Sequence, residues 1–323
     1  MHTQISMVSV EELMPKNHAY RKFKELINFS KILKIVSGMK RETGRLGYGK
    51  ELLLLCLMLQ FLEDLSDREL ERFIRENITA KWFLGIDLVT KTPDHSTFCK
   101  FRNTLGTTRM GQIFDEINRQ LKDHEILKEM FTFVDATALV SKLNVWEERD
   151  KAIQAGYETF NNEIAEKADF TADKDARFGA KGKNKFWFGY KKSVGVDMQS
   201  GLINKVAVTS ADVPDSEAGK RVLPKQGMVF ADKGYIAIIA LCKALGLDPM
   251  IILKQNMKAK DRDLDKWLSR LRSPFERTFS KQNNRVRYRG VAKNQGAEFM
   301  FAVAYNLRRA IVVDEEQRKI CHA

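Results

Sequence analysis

Two short apolar runs in this chain end on a carboxylate. The first, FTFVDAT (residues 131–137), is a β-rich segment that meets Asp135. The second lies in GMVFADKGY (residues 227–235), where Met228, Val229, Phe230 and Ala231 read as a buried strand that stops at Asp232. Burying an ionised carboxylate is costly unless something positive holds it. One such Asp most simply ends a strand or caps the next element. Two of them, each on a hydrophobic strand, point to a shared partner, and a divalent cation with oxygen ligands is the natural candidate.

The rest of the chain narrows what surrounds that pair. Its 323 residues suggest two domains, or one with an insertion, and an apolar fraction of 44% supports a real core. The formal net charge of +13 favours a polyanionic partner, nucleic acid above all. Cys56, Cys99, Cys242 and Cys321 are far apart and form no CxxC pair, so neither a zinc site nor a disulfide framework is indicated. The N-terminus has no basic start followed by an apolar run, so no signal peptide is expected. The most apolar run, LLLLCLML (residues 52–59), is far shorter than the ~20 residues of a membrane span and reads as a buried helix.

Residues 1–125 are expected to be helical. Ser66 and Glu69 are spaced as a capping box, a short helix ends before Gly106, and Ile113, Ile117 and Leu121 share one face of the next. Short helices joined by tight turns fit a helix-turn-helix-like DNA-binding unit. His95, in PDHST, has no second His nearby and reads as a cap or turn residue. At residue 131 the character changes. Strands dominate, interrupted by a charged helical insertion at about 143–180, with a hairpin signal at QSG (199–201) and later strand–helix alternation. The expected fold class is α/β: a mixed sheet flanked by helices, preceded by an all-α domain.

Charge is concentrated towards the end. Residues 254–293 hold thirteen Lys or Arg against four Asp or Glu, a net +9, and RVRYRG interleaves Arg with Tyr288. Such a strip suits the DNA backbone, which Lys and Arg contact without reading sequence. A hard cation needs more oxygens than two Asp supply. Glu276, in RLRSPFERTFSK, is the one acid between residues 266 and 297. It also fits a capping box with Ser273 and Pro274. Asp197, Asp212 and Asp215 are rivals for the third place, although Asp215 more simply caps the helix that begins at Ser216.

Asp135, Asp232 and Glu276, at spacings of 97 and 44 residues, resemble the DDE triad of bacterial insertion-sequence transposases, most closely the insertion-sequence-5 family. TPDHSTFCKFR, FVDAT, FWFGYKKSVGVD, VTSADVPDSEA, FADKGY and RSPFERTFSKQNNRVRYRGVAKNQ carry the resemblance, in that order. Of the family's Tyr, Arg, Glu, Lys signature the chain keeps Arg272 and Glu276. Ser269 stands in the Tyr position and Asn283 in the Lys position, with Lys281 as a stand-in.

The resemblance implies an RNase H-like catalytic domain over residues 126–323 behind a DNA-binding domain over 1–125, with a basic C-terminal helical region. It implies a two-metal Mg2+ site, in which Mn2+ can substitute, on Asp135, Asp232 and Glu276. It implies cleavage at element ends and strand transfer into target DNA, in a bacterial cytoplasmic, nucleoid-associated enzyme with no membrane attachment. At least a homodimer is expected on DNA. Lys191, Lys192, Lys233, Tyr235, Arg272, Lys281, Arg285, Arg287 and Arg289 are the expected DNA contacts. Competing readings are a non-catalytic DNA-binding protein, such as an inactive remnant or a regulator of transposition, and an RNase H-like nuclease.

Overall fold

The computed structural model describes residues 8–39, 47–141, 146–166, 173–181, 185–253, 257, 261, 263, 265–271 and 285–321. The chain forms two compact units, one of residues 1–126 with 300–323, the other of residues 127–299.

The first unit is helical: α1 (Val10–Leu13), α2 (Ala19–Leu26), α3 (Phe29–Ser37), α4 (Lys50–Leu62), α5 (Asp67–Glu76), α6 (Ile78–Leu84) and α7 (His95–Asp123). Helix α4 is apolar nearly all round and buries Leu53, Leu54 and every residue from Cys56 to Leu62, as a central helix must. The capping box expected at Ser66 and Glu69 is present and starts α5. Asn77 and Asp94 cap α6 and α7 with side-chain oxygens on free N–H groups. Gly106, at φ 70°, breaks α7 into a first segment and a longer second one. Ile113, Ile117 and Leu121 on that second segment are fully buried. The last helix, α12 (Val291–Cys321), supplies this unit from Met300 onward. There Phe301 packs edge-on against Phe61 at 4.8 Å, and Asn306 donates to Asn118 at 2.8 Å.

The second unit is built on a six-stranded mixed sheet: β1 (Phe131–Val140), β2 (Arg177–Lys181), β3 (Lys185–Asp197), β4 (Ile203–Ser210), β5 (Met228–Ala231) and β6 (Asp248–Ile251). The order is β2-β3-β1-β5-β6, with β4 beside β3. β1 is antiparallel to β3 and parallel to β5, and β5 is parallel to β6. Four strands joined by antiparallel pairing (β1, β2, β3 and β4) continue into the parallel β5 and β6, with helices on both faces, in an RNase H-like sheet. Helices α8 (Trp146–Ala155) and α9 (Tyr157–Glu166) stand between β1 and β2, where the sequence places a helical insertion.

The expected hairpin joins β3 to β4. Asp197, fully buried, accepts from Ser200 N at 2.9 Å and from its hydroxyl at 2.5 Å and so closes the turn. That role removes it as a rival third acid. Gly189, in FWFGYKKS, is where β1 comes closest: at φ 142° a Cβ there would collide with the Leu139 carbonyl.

Strand alternation sorts the side chains onto two faces. Val134, Ala207, Val229 and Ala231 meet Val222, Tyr235, Ile238 and Cys242, from the layer of α10 (Asp215–Gly219) and α11 (Ile239–Ala244). On the opposite face Leu139, Tyr190 and Val208 meet Ala152, Phe160 and Ile164 of α8 and α9.

Candidate active site

Asp135 sits in the middle of β1, and Asp232 is the first residue beyond β5. The two strands are parallel and in register, pairing Phe131 with Met228 and Phe133 with Phe230. Asp135 and Asp232 therefore each lie two residues past the same paired row. Their strands are neighbours, about 5 Å apart in the hydrogen-bonding direction.

They also share a face. Val134, Val229 and Ala231 all enter the core on the α10–α11 side. Phe131 and Phe230 meet on the other side, ring centroids 6.3 Å apart. Asp232 keeps an extended backbone, φ −82° and ψ 177°, so the alternation runs through it and turns its side chain the same way as those of Phe230 and Asp135. Each carboxylate is seated locally: Asp135 Oδ1 accepts from Ala136 N at 2.8 Å, and Asp232 Oδ1 from Gly234 N at 2.8 Å. The Asp232 bond caps the 3-10 turn over Lys233–Ile238 by meeting the Gly234 N–H.

β5 pairs with β1 only as far as Phe133. The β1 edge is next met at Val140, whose carbonyl accepts from Val286 N at 3.2 Å beside an isolated bridge to Arg285. Among the described residues no strand pairs the edge between these points. It runs from the two acids to the arginine strip, roughly 17 Å for the five residues after Asp135.

The expected DNA contacts separate into distinct groups. Lys233 is exposed beside Asp232, and Arg285 and Arg289 are exposed on the strip, with Arg287 half-buried between them. Lys192, by contrast, is 2% exposed and forms an ion pair with Glu298 of α12 at 3.0 Å. Lys191 points to the opposite face, pairs with Asp215 at 2.8 Å, donates to the Val213 carbonyl at 2.9 Å and lies over the Trp187 ring. Both ammonium groups meet protein acids in this structure. Tyr235 is likewise turned inward. It is 1% exposed and packs against Gly219, where a Cβ would meet its ring at 2.6 Å. Asp215 is the first residue of α10 and not its cap, since Pro214 holds that position. Glu276, Arg272 and Lys281 lie outside the described residues.

Sequence reasoning passed over Glu298, Asp173 and Asp175. An acid inside the apolar run GAEFMF is the signal that marks Glu298. Asp173 is buried and accepts from the Tyr190 hydroxyl at 2.6 Å. Burial and that carboxylate together push the Tyr190 phenol well above its usual range.

Residues 131–307 match the family described as "Transposase DDE domain", and residues 8–104 match "Transposase domain (DUF772)". The chain belongs to the DDE transposase family. A cryo-EM structure of a piggyBac transposase synaptic complex with hairpin DNA aligns over 77% of this transposase and 54% of its own chain, at 12% identity and a TM-score of 0.33. The transposase thus spans about half the length of that neighbour. Membership of the family implies a divalent metal cofactor. The donors present fit one: two hard carboxylates brought to one level and one face of the sheet, with no soft ligand beside them in sequence. Among the described residues, no group of three or more His, Cys, Asp or Glu is placed to hold a metal. No described helix of the transposase is long and apolar enough to cross a membrane.

Proposed function

We propose that this transposase, an insertion-sequence-5-type enzyme, cleaves DNA at the ends of its element and joins the freed 3′-OH to target DNA. The observation that carries the reading is the matched placement of Asp135 and Asp232, two rows past a shared register and on one face. Water breaks the phosphodiester at the element end and leaves a 3′-OH. That hydroxyl then displaces an oxygen of the target phosphodiester, so phosphorus stays pentacovalent only in transit and no protein nucleophile is consumed.

Asp135, Asp232 and Glu276 would hold the metal, Mg2+ in a two-ion site with Mn2+ as a substitute. Bound there, it neutralises the carboxylates and offsets charge on the attacking and leaving oxygens. The chain's own part is to fix both carboxylates on adjacent strands and to seat the DNA backbone. Lys233, Arg285, Arg287 and Arg289, with Arg272 and Lys281, are the phosphate contacts.

Residues 1–125 would grip the element end and residues 126–323 carry out the chemistry. The first segment of α7 supports the former role. It leaves Ser96, Cys99, Lys100 and Asn103 exposed, and no acid occurs between His95 and Phe114. A helix of that width fits the major groove. Two element ends must be brought together, so the working species is at least a dimer on DNA, at the nucleoid of a bacterial cytoplasm.

The deciding experiment compares wild type with Asp135→Asn on a labelled element-end duplex in Mg2+. The amide keeps the shape and removes the charge. Nicking by wild type, and a loss of at least about a hundredfold in the variant with duplex binding retained, is expected. Equal cleavage by both would remove Asp135 from the site. Binding with no cleavage by either would favour a regulator or an inactive remnant, and cleavage of any duplex without joining would favour a nuclease.

A further inference from the structure

The segment that bears Arg287, Tyr288 and Arg289 is a run of bends between an isolated bridge and α12, without a regular ladder of its own. It is nevertheless fastened at both ends. At its start Val286 N donates to the Val140 carbonyl at 3.2 Å, and the Val286 side chain packs on the Tyr190–Phe178 cluster. At its end Gly290 N donates to Asp173 Oδ1 at 3.1 Å and to the Tyr190 hydroxyl at 3.2 Å, while Val291 N donates to Asp175 Oδ2 at 2.9 Å. Asn294 closes the inside by donating to the Tyr288 carbonyl at 2.8 Å.

A helix start needs only a local cap, and a Ser or Asp at position 290 would serve. Here that residue is Gly290, at φ 92°, and the capping carboxylates come from 117 and 116 residues earlier in the chain. The Asp173 carboxylate is itself buried and held by the fully buried Tyr190 of β3. Two carboxylates also lie at the positive end of α12, where its dipole favours them. The net effect is to tie the arginine segment to the sheet.

We propose that Asp173, Tyr190 and Asp175 form a clip that holds residues 286–290 in the shape required by the DNA backbone, which makes them positioning residues for phosphate binding. The inference rests on the transposase reading above. A loose arch has to be ordered when DNA binds, and that cost subtracts from affinity; a clipped arch has met it on folding.

The test measures dissociation constants for a short labelled duplex across a salt series, together with melting temperatures. Asp175→Ala, at an exposed position, and Tyr190→Phe each weaken binding about fivefold, the loss expected of one capping contact. Arg287→Ala with Arg289→Ala weakens binding and lowers the salt slope by about 2. In that arginine-less background Asp175→Ala has no further effect, because the clip acts only through the arginines. A full fivefold loss that persists without the arginines overturns the proposal, as does wild-type binding by both clip variants. If the arginine-less protein binds as well as wild type, the phosphate-strip reading itself fails and the clip with it. Should Tyr190→Phe melt early, Asp175→Ala alone decides.

Discussion

Lys191 and Lys192 are adjacent in sequence to one another and equivalent in composition to the arginines at 285, 287 and 289, yet the fold treats the two groups in opposite ways. On β3 each lysine is turned by strand alternation into a separate packed layer, and each meets an acid there, Asp215 on one face and Glu298 on the other. On the arch Arg285 and Arg289 stay at the surface, on a backbone held from behind. Positive charge in a strand interior is thus a packing element, whereas on the fastened irregular segment Arg285 and Arg289 keep their side chains at the surface. A basic composition reports the sum of both.

The sharpest way to break that comparison is at Lys192. Removing one member of a buried pair leaves the other uncompensated, so Lys192→Met is expected to destabilise the protein by about 3–5 kcal/mol in urea unfolding. Adding Glu298→Leu should recover most of that loss. A Lys192→Met protein as stable as wild type, but defective on DNA, would return Lys192 to the phosphate contacts. Lys191, whose side chain keeps 12% exposure, should lose less: Lys191→Ala costs about 1 kcal/mol and leaves duplex affinity unchanged.

The smallest effect belongs to an acid whose role is wholly local. Asp94 accepts from Thr97 N and the Ser96 hydroxyl, and those bonds hold its carboxyl down at about 2. A depressed folded-state value means that the cap stabilises above the ordinary carboxyl value of about 3.9 and is lost as pH falls through about 2. Asp94→Ala should therefore lower the melting temperature at neutral pH, and the gap should close between about pH 4 and pH 2. A gap independent of pH would mean that the ionised cap is not what the substitution removes.

What sequence could reveal followed from local physics. The capping box at Ser66, the hairpin at QSG and the strand that stops before Asp232 are set within a few residues of themselves, whereas β1 runs on through Asp135 to Val140. The common face of the two acids needed the register between β1 and β5, which no local pattern encodes. Lys191, Lys192 and Tyr235 escaped for the same reason: their partners are remote, and a lysine beside a tyrosine reads alike whether it faces a phosphate or a glutamate. Asp173 and Asp175 stand among other charged residues of the insertion, and only contact with a helix start more than a hundred positions away distinguishes them.

The return of α12 to the first unit has a consequence for how this protein is made. Phe61, Glu63 and Asn118 wait for Phe301, Arg308 and Asn306, and Lys22 for Glu315. The helices of residues 8–126 cannot complete their core until residues 300–321 have left the ribosome. A chain cut short by an early stop codon would thus lose the finish of its amino-terminal half as well as its own end. Termination before residue 300 should accordingly yield degraded protein and not a stable fragment of the helical unit.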